Sequence, residues 1–146
     1  MTMSDMQKTT VGEVMSTKLS WAKASMPIAD LTALLIDEGV SAAPVLDDAR
    51  RPIGIITKTD LVKLGDCGAR TVAELMTTTT YSLQESTSIA DAIATMGFEG
   101  IHHAPVVNDD GTVTGMLSSV DLLRWIAQRE GYKPAASGTR RAFDHG

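Results

Sequence analysis

The residue pattern from Thr10 to Leu64 returns 61 positions later without a gap, and this duplication restricts the available folds more than any other feature of the chain. Met15 recurs as Met76, Ile28 as Ile89, Asp30 as Asp91, Gly39 as Gly100, Pro44 as Pro105, Gly54 as Gly115 and Asp60 as Asp121. Roughly a third of the positions in this span recur unchanged, against roughly one in fifteen to twenty for unrelated segments. Two copies, unlike the long arrays of a solenoid, suggest a pseudo-symmetric pair that buries its apolar faces against itself. Function is then expected where the copies meet.

Composition bounds the reading further. With 43% hydrophobic and 21% charged residues, the 146-residue chain can form a core and is not dominated by disorder. A net charge of -5 argues against nucleic acid as a partner, because binding by counterion release needs clustered cations, whereas Lys8, Arg50-Arg51 and Arg140-Arg141 are scattered. The single cysteine, Cys67, cannot form an internal disulfide. Without a secretory signal or a long apolar run, this fits a cytoplasmic setting and no membrane partner. Cys67 lies between Gly65-Asp66 and Gly68, which reads as a linker with a spectator thiol.

The predicted organisation is a first repeat over residues 10–66 and a second over 71–131, with flexible tails at 1–9 and 132–146. Each copy carries the same order of signals. A helical turn (11–15; 72–76) precedes an extended segment (19–23; 80–84). An amphipathic helix follows, with Ile28, Leu31, Leu34 and Leu35 on one face in the first copy and Ile89, Ile93 and Met96 in the second. Ser25 or Met26, and Ser86 or Thr87, stand near its cap, with Pro27 in the first turn and Gly39 or Gly100 as the C-terminal glycine. Two short strands come next (43–46 and 53–56; 104–107 and 113–117), joined by Asp- and Asn-containing turns, and a last helix opens at Lys58 or Ser119. The expected fold class is therefore α+β: two tandem β-α-β-β-α units packed sheet to sheet, since either sheet alone is too small to close a core.

Three motifs recur in order in both copies: the opening V-x-E-V/L-M (Val11 to Met15, Val72 to Met76), the stretch from Glu38 to Asp47 and from Glu99 to Asn108, and the strand-to-helix junction. The junction reads Gly54-Ile55-Ile56-Thr57-Lys58-Thr59-Asp60-Leu61 and Gly115-Met116-Leu117-Ser118-Ser119-Val120-Asp121-Leu122. In these residues the chain resembles a tandem pair of CBS domains, the module named after cystathionine β-synthase, whose pairs are called Bateman modules. Thr57 with Asp60, and Ser118 with Asp121, also fit helix N-terminal capping boxes. The resemblance implies a second role, in which the junction carboxylate accepts the two ribose hydroxyls of an adenine nucleotide and the hydroxyl residue lies by ribose and phosphate. The two roles are compatible.

The resemblance further implies two clefts, each combining the junction of one copy with the residues before the strand proline of the other. One would hold Thr57, Lys58, Thr59 and Asp60 with Ile101, His102 and His103. The other would hold Ser118 and Asp121 with Val40, Ser41 and Ala42. Val40, Ile101, Ile56 and Leu117 match positions that line the adenine slot of the family, and plain core is the competing reading of Ile56 and Leu117. In this assignment the first cleft has a lysine and two imidazoles for an anion and the second has none. Adjacent histidines on an extended segment alternate sides, so one of them is expected to face the cleft. A metal role for them is disfavoured, because strand neighbours diverge and no third ligand is visible.

The expected function is a non-catalytic regulatory module. It would bind an adenine nucleotide (AMP, ADP, ATP or an S-adenosyl compound) as a regulatory ligand, with no cofactor required, and signal occupancy to a regulated protein or to its own homodimer. The alternative is a ligand-free structural or oligomerisation module whose junction residues serve only as caps. An enzyme is disfavoured, since no Gly-rich phosphate loop ending in Gly-Lys-Ser/Thr and no dispersed His or Cys constellation is present, and no separate catalytic domain is expected.

Overall fold

In the computed structural model, residues 3–63, 70–78 and 81–133 are described. Leu64, the linker with Cys67, Thr80 and the segment after Lys133 lie outside the described residues. The elements run in chain order as α1 (Met3–Lys8), α2 (Val11–Val14), β1 (Ala22–Lys23), α3 (Ile28–Glu38), β2 (Ala42–Leu46), β3 (Pro52–Thr57), α4 (Lys58–Val62), α5 (Val72–Leu75), β4 (Thr77–Thr78), β5 (Leu83–Gln84), α6 (Ile89–Glu99), β6 (His103–Val107), β7 (Val113–Ser118) and α7 (Ser119–Glu130). Each copy thus has the α+β order expected of it, except that the second adds β4, which pairs with β3 in the sheet of the first copy. The N-terminal segment read as a flexible tail contains α1, which lies against α6.

β1, β2, β3 and β4 form one sheet, and β5, β6 and β7 the other. In each, the first strand runs parallel to the second, and the second and third are an antiparallel hairpin. The amphipathic helices start later than their caps suggested. Pro27 and Ser88 are the N-cap residues, and only Ser88 can accept a side-chain bond, from Asp91 N-H at 3.1 Å. Both cap residues are extended and bridge to the opposite copy (Pro27 to Thr71, Ser88 to Thr10), which delays the first helical turn. Gly39 and Gly100 end these helices at φ of 64° and 68°, a conformation costly for any residue with a Cβ.

The copies exchange their opening helices. Val11 of α2 is fully buried among Leu83, Ile89, Ala104, Val106 and Leu117 of the second copy, whereas Val72 of α5 is fully buried among Leu31, Leu35, Val45 and Ile56 of the first. Backbone bonds fix both docks: Val11 N-H to Thr87 O at 2.7 Å and Gly12 N-H to Glu85 O at 3.0 Å, matched by Val72 N-H to Met26 O and Ala73 N-H to Ala24 O, both at 2.9 Å. Neither copy can complete its core without the other. A third cluster, Leu46 with Val107 and Val113, with Leu19 and Trp21 against it, joins the two sheets, and Arg50 both caps the Trp21 ring at 5.7 Å and accepts a bond from Val113 N-H at 2.9 Å.

Candidate functional site

Each junction forms the capping box that its spacing allows. Asp60 Oδ2 accepts from Thr57 N-H at 2.9 Å and from the Thr57 hydroxyl at 3.0 Å, while Thr57 Oγ1 accepts from Asp60 N-H at 3.2 Å. Asp121 Oδ2 accepts from Ser118 N-H at 2.9 Å, and Ser118 Oγ from Asp121 N-H at 3.0 Å. These bonds use one oxygen of each carboxylate. The other oxygens differ: Asp121 Oδ1 meets Arg124 at 3.5 Å, whereas among the described residues no donor is bonded to Asp60 Oδ1.

Two clefts lie between the copies. The larger, of about 620 Å³, brings Thr57, Lys58, Thr59 and Asp60 together with Ile101, His102 and His103. The smaller, of about 310 Å³, brings Ser118 and Asp121 together with Val40, Ser41 and Ala42. Strand register explains the juxtaposition. Ala42 pairs with Thr57 and His103 with Ser118, and the Ser41 and His102 carbonyls accept from Lys58 and Ser119 N-H at 2.9 and 3.0 Å. Each pre-proline segment therefore lies beside its own junction and faces that of the other copy. Ser41 and His103 line both clefts.

Several assignments need correction. Leu117 is fully buried in the core of the second copy and lines neither cleft, and Ile56 is likewise core; Ile55 and Met116 line the clefts instead. The reason is strand parity, since Gly54 and Ile56 share the buried face of β3 while Ile55 and Thr57 share the other. Counting back two from Thr57 and Ser118 would have found them. Both histidines line the larger cleft, because His102 precedes β6 and is not bound by strand alternation. The smaller cleft is not without a cation, for Lys18 lines it, paired with Glu38 at 3.7 Å, and the His103 imidazole reaches it as well.

The motifs also missed Lys63, Tyr81 and Pro105 in the larger cleft and Ser16, Lys18 and Ser20 in the smaller. The repeat offset itself carried this signal, since Ser20 is the counterpart of Tyr81 and Ser16 that of Thr77. The Tyr81 hydroxyl donates to Glu99 Oε2 at 2.9 Å, and the carboxylate holds the phenol proton above its ordinary pKa. Burial holds the half-buried His103 imidazole below its ordinary pKa and His102 adds to that, whereas the Asp121 carboxylate opposes it. Among the described residues no group of three or more His, Cys, Asp or Glu side chains could hold a metal ion, and no helix is long and apolar enough to cross a membrane.

This geometry, a duplicated α+β unit with exchanged opening helices and two clefts between the copies, coincides with a sequence match to the CBS domain over residues 11–66 and again over 72–128. The chain belongs to the CBS domain family and carries two copies of the domain. An uncharacterized 17.7 kDa protein of Acidianus ambivalens is 29% identical over 119 residues, covering 80% of this chain and 72% of its own length. The chain spans only 28% and 23% of two further relatives, which are much longer. The structure of CBSX2 in complex with AMP is similar with a TM-score of 0.75 and 27% identity over 83% of this chain and 98% of that one; CBSX2 is a protein of Arabidopsis thaliana. The CBS domain pair of protein MJ0100, in complex with 5′-methylthioadenosine and S-adenosyl-L-methionine, is similar with a TM-score of 0.76 and 26% identity over 83% of this chain and 98% of that one.

Proposed function

We propose that this CBS pair is a non-catalytic regulatory module that binds an adenine nucleotide in the Asp60 cleft and reports its occupancy to a partner protein or to a second copy of itself. The observation that carries the reading is the Asp60 carboxylate, which lines a cavity of about 620 Å³ and whose Oδ2 serves the cap while, among the described residues, no donor is bonded to Oδ1. An oxygen with two lone pairs suits a ribose cis-diol. Lys58 and Lys63 offer positive charge for phosphate, His102 and His103 offer ring N-H donors, and Ile55, Ile101 and Pro105 offer apolar surface for a base. The AMP complex of CBSX2 and the adenosyl ligands of the MJ0100 pair support the same ligand class. The smaller Asp121 cleft, with its carboxylate tied to Arg124 and its lysine tied to Glu38, is the weaker site.

One observation favours a second reading, a ligand-free structural module: both capping boxes are complete without any ligand. Thermal unfolding separates the two. A ligand at a hundredfold its dissociation constant stabilises the fold by about 2.7 kcal/mol. A panel of adenosine, AMP, ADP, ATP, 5′-methylthioadenosine and S-adenosyl-L-methionine should raise Tm for at least one member, with a matching titration by calorimetry. Unchanged Tm with every compound at millimolar concentration would leave the structural reading.

A further inference from the structure

The two clefts are built from matched positions of the repeat, and where they differ most in chemistry is at one wall. Tyr81 lines the Asp60 cleft, and its counterpart Ser20 lines the Asp121 cleft. Among the described residues Tyr81 is the one phenyl-type ring on either cleft, beside the smaller, polar imidazoles of His102 and His103, and it is 40% exposed although its ring is a large apolar surface. An aromatic ring at the wall of a cavity and not in the core leaves a face available for stacking.

Its position is also fixed. The hydroxyl is bonded to Glu99 at the end of α6, next to Gly100 and Ile101, which line the same cleft. A ring held at its tip loses less freedom when a planar ligand stacks on it, so more of the stacking energy appears as affinity. In the other copy the residue equivalent to Glu99 is Glu38, and its partner is the flexible Lys18. Among the described residues no Phe, Tyr or Trp ring lines that cleft, where His103, shared with the larger cleft, is the one imidazole.

We infer that Tyr81 determines base recognition in the Asp60 cleft, its Glu99-anchored ring stacking on a planar base, and that Ser20 in its place makes the Asp121 cleft discriminate poorly for a base. The inference rests on the nucleotide-binding reading and adds to it the residue that selects a base-bearing ligand over a bare sugar phosphate. It predicts selectivity for the base, separate from the contributions of Asp60 to ribose and of the cations to phosphate.

The test uses the full chain with three variants, Tyr81→Ser, Tyr81→Phe and Ser20→Tyr, titrated calorimetrically with adenosine, AMP and ribose 5-phosphate. Removal of a base-stacking ring weakens binding by roughly five- to a hundredfold. Tyr81→Ser should weaken adenosine and AMP within that range and leave ribose 5-phosphate within about twofold of the parent, by the same stacking argument. Tyr81→Phe should stay near the parent, and Ser20→Tyr should strengthen AMP at the second cleft. Upfield ring-current shifts of the adenine protons should be present in the parent and the Phe variant and absent in the Ser variant. Unchanged adenosine affinity in Tyr81→Ser, or an equal loss of ribose 5-phosphate, would overturn the role of the ring. A loss in Tyr81→Phe equal to that in Tyr81→Ser would assign the effect to the Glu99 bond and likewise overturn it. If the parent binds no adenosine compound, the nucleotide reading fails first, and this outcome is distinct from the others.

Discussion

Replacing Asp60 by alanine separates the two roles that converge on one carboxylate. In the free protein the substitution removes the acceptor for the Thr57 N-H and hydroxyl, both near 3 Å, at a half-buried helix start. Loss of such a cap costs about 1 kcal/mol, which for a folded unit of this size lowers Tm by roughly 3 to 6 °C. In the complex it also removes the Oδ1 acceptor from the ribose, and a hydrogen bond to a charged group is worth about 1.5–3 kcal/mol, or roughly ten- to a hundredfold in affinity. Calorimetric titration with AMP and with its 2′-deoxy analogue closes the cycle. The parent should bind the deoxy compound more weakly, whereas Asp60→Ala should bind the two alike. Asp121→Ala should cost a similar few degrees in Tm and much less in AMP affinity, because Arg124 already occupies Asp121 Oδ1 at 3.5 Å. If Asp60→Ala lost the expected stability while keeping parental affinity and its preference for the 2′-hydroxyl, the carboxylate would be a cap alone.

Other expectations follow from the same geometry. A Cβ at Gly115 would lie 2.6 Å from Met15 Sδ and 2.7 Å from Ser16 O, so Gly115→Ala should destabilise by about 1–3 kcal/mol; Met15→Ala on top should not restore Tm, since the Ser16 carbonyl cannot rotate away. Full rescue would mean the close approach is a side-chain matter. Folded His103 has a lowered pKa, so the unfolded chain takes up its proton first as pH falls below about 6.5, and the stability this group contributes above that pH is lost as pH drops through the folded value. His103→Gln should flatten Tm against pH between about 7 and 5 relative to the parent, although His102, Asp60 and Asp121 flank the same clefts; superimposable profiles would remove His103 from the account. Leu123, 65% exposed, and its counterpart Val62, 83% exposed, form equivalent apolar points on α7 and α4, and we expect a twofold homodimer whose light-scattering mass is twice 15.5 kDa. Leu123→Glu should shift it towards the monomer, and a parental mass of 15.5 kDa would refute the dimer.

The sequence by itself determined whatever depends on neighbours a few residues apart. Thr57 and Ser118, three positions before Asp60 and Asp121, make capping boxes from local spacing, Gly39 and Gly100 end helices because of their own φ, and the hairpins follow from apolar runs broken by Asp- and Asn-rich turns. The duplication added that the copies meet, and the family resemblance implied a cleft combining Asp60 with His102 and His103, residues that line one cavity. Faces and reach were another matter. Ile55 and Met116 rather than Ile56 and Leu117 line the clefts because the buried side of each hairpin is set by what packs on it, and Val72 and Val11 from the opposite copies do that packing. A short helix such as α2 has no sequence mark of which copy it will complete, since both cores offer the same apolar pattern. His103 and Ser41 serve two clefts, and Lys18 and Tyr81 reach them from segments without a motif, because a cleft gathers residues by distance through space, whereas repeat and periodicity report only distance along the chain.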